Sequence, residues 1–177
     1  MKRLGIAARG ALAIGLAGLL LGCAVFRQRA AYKTVQDYLD AQVKQDMFKQ
    51  RGFWDSESTT LIAAGGSTIP STPMQQWHMD SYDASPDRIT IKGPKAYATV
   101  SAKFEGPYNQ AKNVTFTIYM SSHEEMMSQG KEEVWRVNEI ETKRLLAEEV
   151  VGKGYGDLWV NQLQAMKGLY GSGGYGR

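Results

Sequence analysis

The hydrophobic period of the chain changes along its length, and this change limits the folds that the chain can adopt. Apolar residues recur every three or four positions from Ala30 to Arg51, which predicts an amphipathic helix. From Gln76 to Ile140 they recur at every second position, which predicts antiparallel strands. Helical spacing returns between Thr142 and Tyr170. We therefore expect an α+β fold, with an N-terminal helix packed on a curved antiparallel sheet of four to five strands, plus a C-terminal helix.

The polar and turn-forming residues set the expected boundaries of these elements. Asp55 to Ser58 can cap a short helix over Thr59–Ala64, and Asp157 can cap the last helix. The polar stretch Ser121–Lys131 predicts a long loop between two strands. The strands are predicted at 76–82, 88–92, 96–105, 114–120 and 133–140.

The first 22 residues have the composition of an export signal. Lys2, Arg3 and Arg9 are basic, and an uninterrupted apolar run follows from Ala11 to Leu21. As a helix this run would extend only about 16 Å, whereas the core of a bilayer is about 30 Å thick. A signal peptide is therefore the better interpretation.

The residues that follow indicate the type of signal. Leu20-Leu21-Gly22-Cys23 resembles the lipobox of bacterial lipoproteins, although a small or β-branched residue is commoner than Leu21 at its position. The resemblance implies cleavage between Gly22 and Cys23 and attachment of diacylglycerol to the Cys23 thiol, so that membrane lipid is the first expected partner. Because Ala24 rather than Asp follows the cysteine, the resemblance favours the periplasmic face of the outer membrane over the inner membrane.

These features predict a division of the chain into five parts. The signal peptide covers 1–22, a lipidated tether 23–29, a cone-like α+β domain 30–151, an amphipathic helix 152–170, and a disordered Gly-rich tail 171–177. Basic residues at the tether either meet anionic headgroups or form a solvated linker; they are Arg27, Arg29 and Lys33.

The charge balance argues against nucleic-acid binding. The chain has 21 basic and 18 acidic residues, but three of the basic ones lie in the leader, so the remainder is balanced. A nucleic-acid-binding domain would need a basic patch on the folded part. The single cysteine excludes an intramolecular disulfide.

Two strand segments carry a second resemblance. "DRITIKGPKAYATVSAKFEG" and "EEVWRVNEI" are similar to strands of the nuclear transport factor two-like, cystatin-like cone fold, over about 30–140. That resemblance implies a pocket between sheet and helix. Because such folds include both enzymes and proteins without chemistry, it does not by itself imply a function.

Two groups of side chains are candidates for a catalytic or ligand-binding pocket. His78, Asp80 and Tyr82 alternate on a predicted strand, where they form either an acid–base group or, as we favour, a solvent-facing surface. Trp54, Trp77, Trp135 and Trp159 either line an apolar pocket or anchor the core. Neither group predicts a cofactor.

Metal binding is also not predicted. His123, Glu124 and Glu125 lie in the expected loop without a second histidine nearby. The methionines are scattered, and the Gly65-Gly66 pair lacks the context of a phosphate loop.

The C-terminal helix carries an apolar stripe that either packs on its own domain or holds an envelope protein: Trp159, Leu163, Met166 and Tyr170. The function expected from the sequence is a membrane-anchored, non-catalytic binding or assembly module. The alternatives are a small-molecule-binding or acid–base enzyme that uses His78, Asp80 and Tyr82, and a purely structural lipoprotein.

Overall fold

The computed structural model describes residues 5–65, 73–128 and 130–171, and it confirms the α+β fold with an N-terminal helix, a curled antiparallel sheet and a C-terminal helix. The helices of this part are α1 (Gly5–Val43), α2 (Met47–Arg51), α3 (Ser56–Gly65), α4 (Glu139–Val150) and α5 (Tyr155–Gly171). Its strands are β1 (His78–Asp83), β2 (Ile89–Lys92), β3 (Lys95–Glu105), β4 (Ala111–Met127) and β5 (Gly130–Val137).

The sheet has the order β1-β3-β4-β5, and β2 pairs with the other half of the β3 edge that β1 occupies. The long central pair places Val100 opposite Phe116 and Ala98 opposite Ile118. As the alternation predicts, every second residue of β3 faces the core: Ala96, Ala98, Val100, Ala102 and Phe104 are all buried. The buried side of α1 covers this face through Val35, Tyr38 and Leu39.

Helix α1 begins before the predicted domain helix and ends earlier than expected. The segment predicted as a tether, 23–29, belongs to this helix. At its other end the helix stops at Val43, not at Arg51, because Gln45 adopts a positive φ of 54° and Asp46 caps α2. The Asp46 carboxylate accepts a hydrogen bond from Lys49 N at 3.0 Å, which starts a new helix.

The prediction of a long loop at Ser121–Lys131 is wrong. Strand β4 continues to Met127 and pairs with β5 down to Gly130. This part of the hairpin extends past the core, so both of its faces meet water and its sequence lacks apolar alternation. Arg136 stands opposite Ser121 but reaches along the hairpin to form an ion pair with Glu125 at 2.6 Å. His123 and Glu124 therefore lie on a strand.

The last strand also ends before its predicted limit. Asn138 caps α4 by accepting a hydrogen bond from Glu141 N at 2.8 Å, so Glu139 and Ile140 are helical. The chain segment just before α3 hydrogen-bonds to the end of β5. Asp55 N donates to Val137 O at 2.9 Å, and the Asp55 carboxylate caps α3 through Ser58 N.

Helix α5 packs against α3 and α4. A Cβ added to Gly156 would lie 2.0 Å from Arg144 O, so only glycine allows this close approach of α5 to α4. Leu163 is fully buried, so at this position the predicted stripe packs on the protein's own domain. The Tyr170 side chain and residues 172–177, which include most of the predicted tail, lie outside what the structure describes.

None of the helices, over the residues described, is both long enough and apolar enough to cross a membrane.

Candidate functional site

A cavity of about 520 Å³ lies between the sheet and the helices at the end of the domain where α1 stops. Its volume is in the range of small-molecule sites. Strands β1 and β3 supply one wall through Met79 and Phe104, and helices α4 and α5 supply the opposite wall through Leu146 and Trp159. Trp54, from the segment before α3, lines it between these walls.

Trp77 is held in the cavity wall by a glycine and a lysine. A Cβ on Gly106 would lie 2.6 Å from the Trp77 ring, so the absence of a side chain at Gly106 makes room for the indole. On the Trp77 ring, Lys112 Nζ lies 5.3 Å from the ring centroid, and the same amine donates to Val150 O. The sheet end and α4 are thus joined beside the cavity.

Five glutamines from five parts of the fold line the cavity: Gln42, Gln45, Gln50, Gln75 and Gln162. Each amide can donate and accept hydrogen bonds without carrying charge. Of the described residues, no aspartate or glutamate lines the cavity, and the basic side chains at its wall are Lys143 and His78. The site is therefore apolar with neutral hydrogen-bonding groups.

A buried polar network lies directly behind this wall. Glu139 is fully buried; its Oε2 accepts a hydrogen bond from Tyr38 OH at 2.5 Å, and its Oε1 lies 2.8 Å from Lys143 Nζ. Gln42 Nε2 donates to the same Tyr38 oxygen at 2.6 Å, and Glu139 N donates to Ser58 Oγ. Since Gln42 and Lys143 also line the cavity, the network fixes two of its polar groups.

Burial and the adjacent Glu139 carboxylate raise the pKa of Tyr38 well above its usual value. Tyr38 therefore stays protonated in the folded protein, whereas its unfolded counterpart ionises near pH 10. The unfolded chain then binds fewer protons above pH 10, so alkaline pH destabilises the fold.

This shift predicts a difference between the wild type and Tyr38→Phe. Between pH 9 and pH 11 the wild type should lose about 1 kcal/mol more unfolding free energy than the variant, which has no phenol to ionise. Urea unfolding at each pH measures this difference. Equal losses for both proteins would contradict a protonated, buried Tyr38.

The alternation predicted that His78, Asp80 and Tyr82 share one face, but the structure separates Tyr82 from the other two, which are joined through Glu105 and Lys103 on the exposed side. A β-bulge between Met79 and Ser81 shifts the register, so Tyr82 stands opposite buried Ala102. Its hydroxyl donates to Asp40 Oδ1 at 2.7 Å, and desolvation together with Asp40 raises the Tyr82 pKa.

The other two members of this group have surface partners. Asp80 is paired with Lys103 at 3.0 Å on the exposed side of the sheet, and this ammonium lowers the Asp80 pKa. His78 lines the cavity, with its Nε2 3.5 Å from Glu105 Oε2. The bulge could not be read from the sequence, because the polar residues fit an uninterrupted strand equally well.

The predicted tryptophan set divides in a similar way. Trp54, Trp77 and Trp159 line the cavity, whereas Trp135 is a core residue beneath Arg27, whose guanidinium lies 5.3 Å from the ring centroid. Trp54 Nε1 is buried and has no hydrogen-bond partner among the described residues. Trp135 Nε1 in the core is in the same state, so the unpaired indole nitrogen of Trp54 is a feature of its burial and not of the cavity surface.

Sequence reasoning missed the glutamines and the Tyr38–Glu139–Lys143 network. Tyr38 and Gln42 were detectable as neighbours at i and i+4 on α1. Glu139 was missed because the residues before Asn138 alternate as in a strand, so the predicted strand was extended through Glu139. Among the described residues, no three His, Cys, Asp or Glu side chains lie close enough together to hold a metal ion.

Comparison with protein-family models, with curated proteins and with solved structures found no match for this chain.

Proposed function

We propose that this protein is an exported lipoprotein of the bacterial envelope that binds a small apolar molecule without chemical conversion. Acylated Cys23 anchors it, with the periplasmic face of the outer membrane as its expected location. Its domain belongs, in this proposal, to the nuclear transport factor two-like class suggested by the strand pattern. The lipobox supports the anchor, and the curled sheet with its helices supports the class.

The observation that carries the binding function is the cavity itself. A volume of about 520 Å³ bounded by Trp54, Trp77, Trp159 and Phe104 can hold a molecule of moderate size out of water. Burying an apolar ligand there gains roughly 25 cal/mol for each Å² removed from water, before the entropic cost of association.

The polar groups of the wall limit the ligand's chemistry. Lys143 is neutralised by Glu139, and His78 lies near Glu105, so the wall offers little net charge. The glutamine amides remain to recognise neutral oxygen groups of a ligand. We therefore expect a largely hydrocarbon molecule with hydroxyl, ester or carbonyl oxygens.

An acid–base enzyme finds less support. Its three candidate side chains are paired with other residues: His78 with Glu105, Asp80 with Lys103, and Tyr82 with Asp40. Of the three, only His78 lines the cavity. A general base must be within hydrogen-bond reach of the proton that it removes, and a second group must be positioned with it.

Filling the cavity should strongly reduce binding of the ligand. Gln162 lines the cavity from α5, whereas Gln164, two residues further on the same helix, is exposed outside it. We expect Gln162→Trp to reduce photolabelling by a neutral alkyl diazirine alcohol several-fold, and Gln164→Trp to leave it unchanged. The lipidated protein in phospholipid vesicles is irradiated, and the labelled peptides are identified by mass spectrometry.

In the wild type the labels should map to cavity residues such as Met79 and Trp159. Labelling that is equal in both variants, or that lies on the outer surface, would contradict the proposed site. The intact mass of the purified protein tests the anchor separately: it should show a chain that begins at Cys23 and carries acyl groups.

A further inference from the structure

Four large apolar side chains are exposed at the end of the domain that follows the leader. Val25 and Phe26, at 48% and 74% exposure, lie on α1 directly after Cys23. Met126 and Met127, at 75% and 44%, lie at the tip of the β4–β5 hairpin. These residues come from distant parts of the chain, so local sequence composition does not explain their occurrence together.

Two contacts show that both pairs extend from the same end. Arg27 Nη2 lies 2.7 Å from Glu133 Oε1, and further along the same helix Tyr38 contacts Glu139 just after β5 ends. Helix α1 and strand β5 therefore run in the same direction. Going backward from the Arg27–Glu133 contact, the helix leads to Phe26 and Val25, and the strand reaches the hairpin tip within about 10 Å.

Basic side chains accompany these apolar residues. Lys92 and Lys95 lie on either side of the Gly93-Pro94 turn, where Gly93 O accepts a hydrogen bond from Arg27 Nη2 at 2.9 Å. Arg29 follows Val25 by four residues on α1, so these two residues share one face of the helix. Lys92, Lys95 and Arg29 are exposed, and none forms an ion pair with a described residue. Among the described residues near this end, two acidic side chains, Glu132 and Asp87, also form no ion pair, so the unpaired basic side chains are in excess.

The residues between Cys23 and the domain are held by direct contacts and do not form a flexible linker. Arg27 makes a bidentate contact with Glu133, lies over the Trp135 ring, and lowers the pKa of the Glu133 carboxyl. Gln28 Nε2 donates to Pro86 O at 2.7 Å. Since the helix is fixed to the sheet within about one turn of Cys23, an anchor there constrains the orientation of the whole domain.

We infer that Val25, Phe26, Met126 and Met127 form a docking face that lies against the phospholipid bilayer, with Arg29, Lys92 and Lys95 over anionic headgroups. This inference rests on the proposed anchor at Cys23, because the lipid brings this face to the membrane. Apolar side chains of both α1 and the hairpin tip then enter the interface.

This orientation places the cavity away from the membrane. Gln42 lines the cavity and lies about 22 Å along α1 from Arg27. A second exposed apolar group, Met47, Phe48 and Leu158, lies at the cavity end and not at the docking face. The cavity thus takes its ligand from the aqueous side or from a molecule opposite, not from the bilayer that anchors it.

Quenching by nitroxide-labelled lipids tests the docking face on the full lipidated protein. Because the lipid blocks the Cys23 thiol, Met127→Cys and Phe48→Cys each provide one site for a fluorophore. Both replaced side chains are exposed and apolar, but they lie at opposite ends of the domain. Each labelled protein is reconstituted in vesicles of phosphatidylethanolamine and phosphatidylglycerol.

We expect the label at position 127 to be quenched several-fold more strongly than the label at position 48. Equal quenching, or stronger quenching at position 48, in protein that floats with the vesicles would overturn the docking face and leave the anchor intact. Failure of both proteins to float with the vesicles would overturn the anchor, and with it the docking face. Neither failure would affect photolabelling of the cavity.

Discussion

Replacing Glu139 with alanine is expected to lower the free energy of unfolding by about 3 kcal/mol. The carboxylate is fully buried between Tyr38 OH and Lys143 Nζ. Its removal leaves a buried phenol with one partner fewer and an ammonium without its counter-ion, and it opens a cavity in the core. Urea unfolding followed by circular dichroism gives the value.

Glu141 provides the matched control on the same helix. It pairs with Arg144 at 2.7 Å at the surface, where water screens the pair, so Glu141→Ala should cost less than about 1 kcal/mol. A loss for Glu139→Ala no larger than that of the control would show that the buried network does not stabilise the fold. Glu139→Gln should fall between the two, since an amide keeps the volume but not the charge.

Truncation of Trp135 is expected to have a comparable or larger effect. Its side chain is 2% exposed and packs in the main core beneath Arg27. Trp135→Ala should therefore lower the unfolding free energy by about 3–5 kcal/mol, as for other large-to-small core substitutions. Denaturant unfolding of the variant and the wild type measures this loss.

Trp77 distinguishes core from cavity within the tryptophan set. It is only partly buried and lines the cavity, so Trp77→Ala should cost less stability but reduce diazirine labelling. Trp135→Phe, which retains most of the apolar volume, should label as the wild type does. The opposite pattern, with labelling lost for Trp135→Phe alone, would contradict the division of this set into cavity and core residues.

The fold class followed from the sequence because one face of each long element is buried. Residues 96–104 alternate strictly, and the structure buries every second one of them. Such a pattern has few other solutions, because a slip by one residue would expose all five. The same logic failed at Glu124 and Glu125, where the hairpin passes beyond the core and pairs charged residues on both faces.

The cavity could be anticipated only in part. Aromatic residues on four elements indicated either a pocket or a core. The sequence does not show at which end of the domain a cavity is left between sheet and helices. That depends on where α1 stops and on how closely α5 approaches α4 at Gly156. The first is set by the positive φ of Gln45 and the Asp46 cap, and the second by the close approach of Gly156 to Arg144 O, and the apolar spacing signals neither.

The bulge in β1 shows how a local irregularity can change the interpretation of a site. With one extra residue between Met79 and Ser81, Tyr82 turns toward Asp40 while Asp80 remains with Lys103. The alternating polar triplet is therefore divided: His78 and Asp80 stay joined at the surface through Glu105 and Lys103, and Tyr82 turns inward. Bulges depend on the partner strand, and His78 through Asp83 alone carry no signal for one.

The most direct test of the proposed function is native mass spectrometry of the full lipidated protein released from nanodiscs prepared from its own membranes. We predict a non-covalently bound small molecule on the wild type and on Gln164→Trp, and its loss on Gln162→Trp. A bare wild-type protein, or the same bound mass on all three proteins, would contradict the cavity as a ligand site.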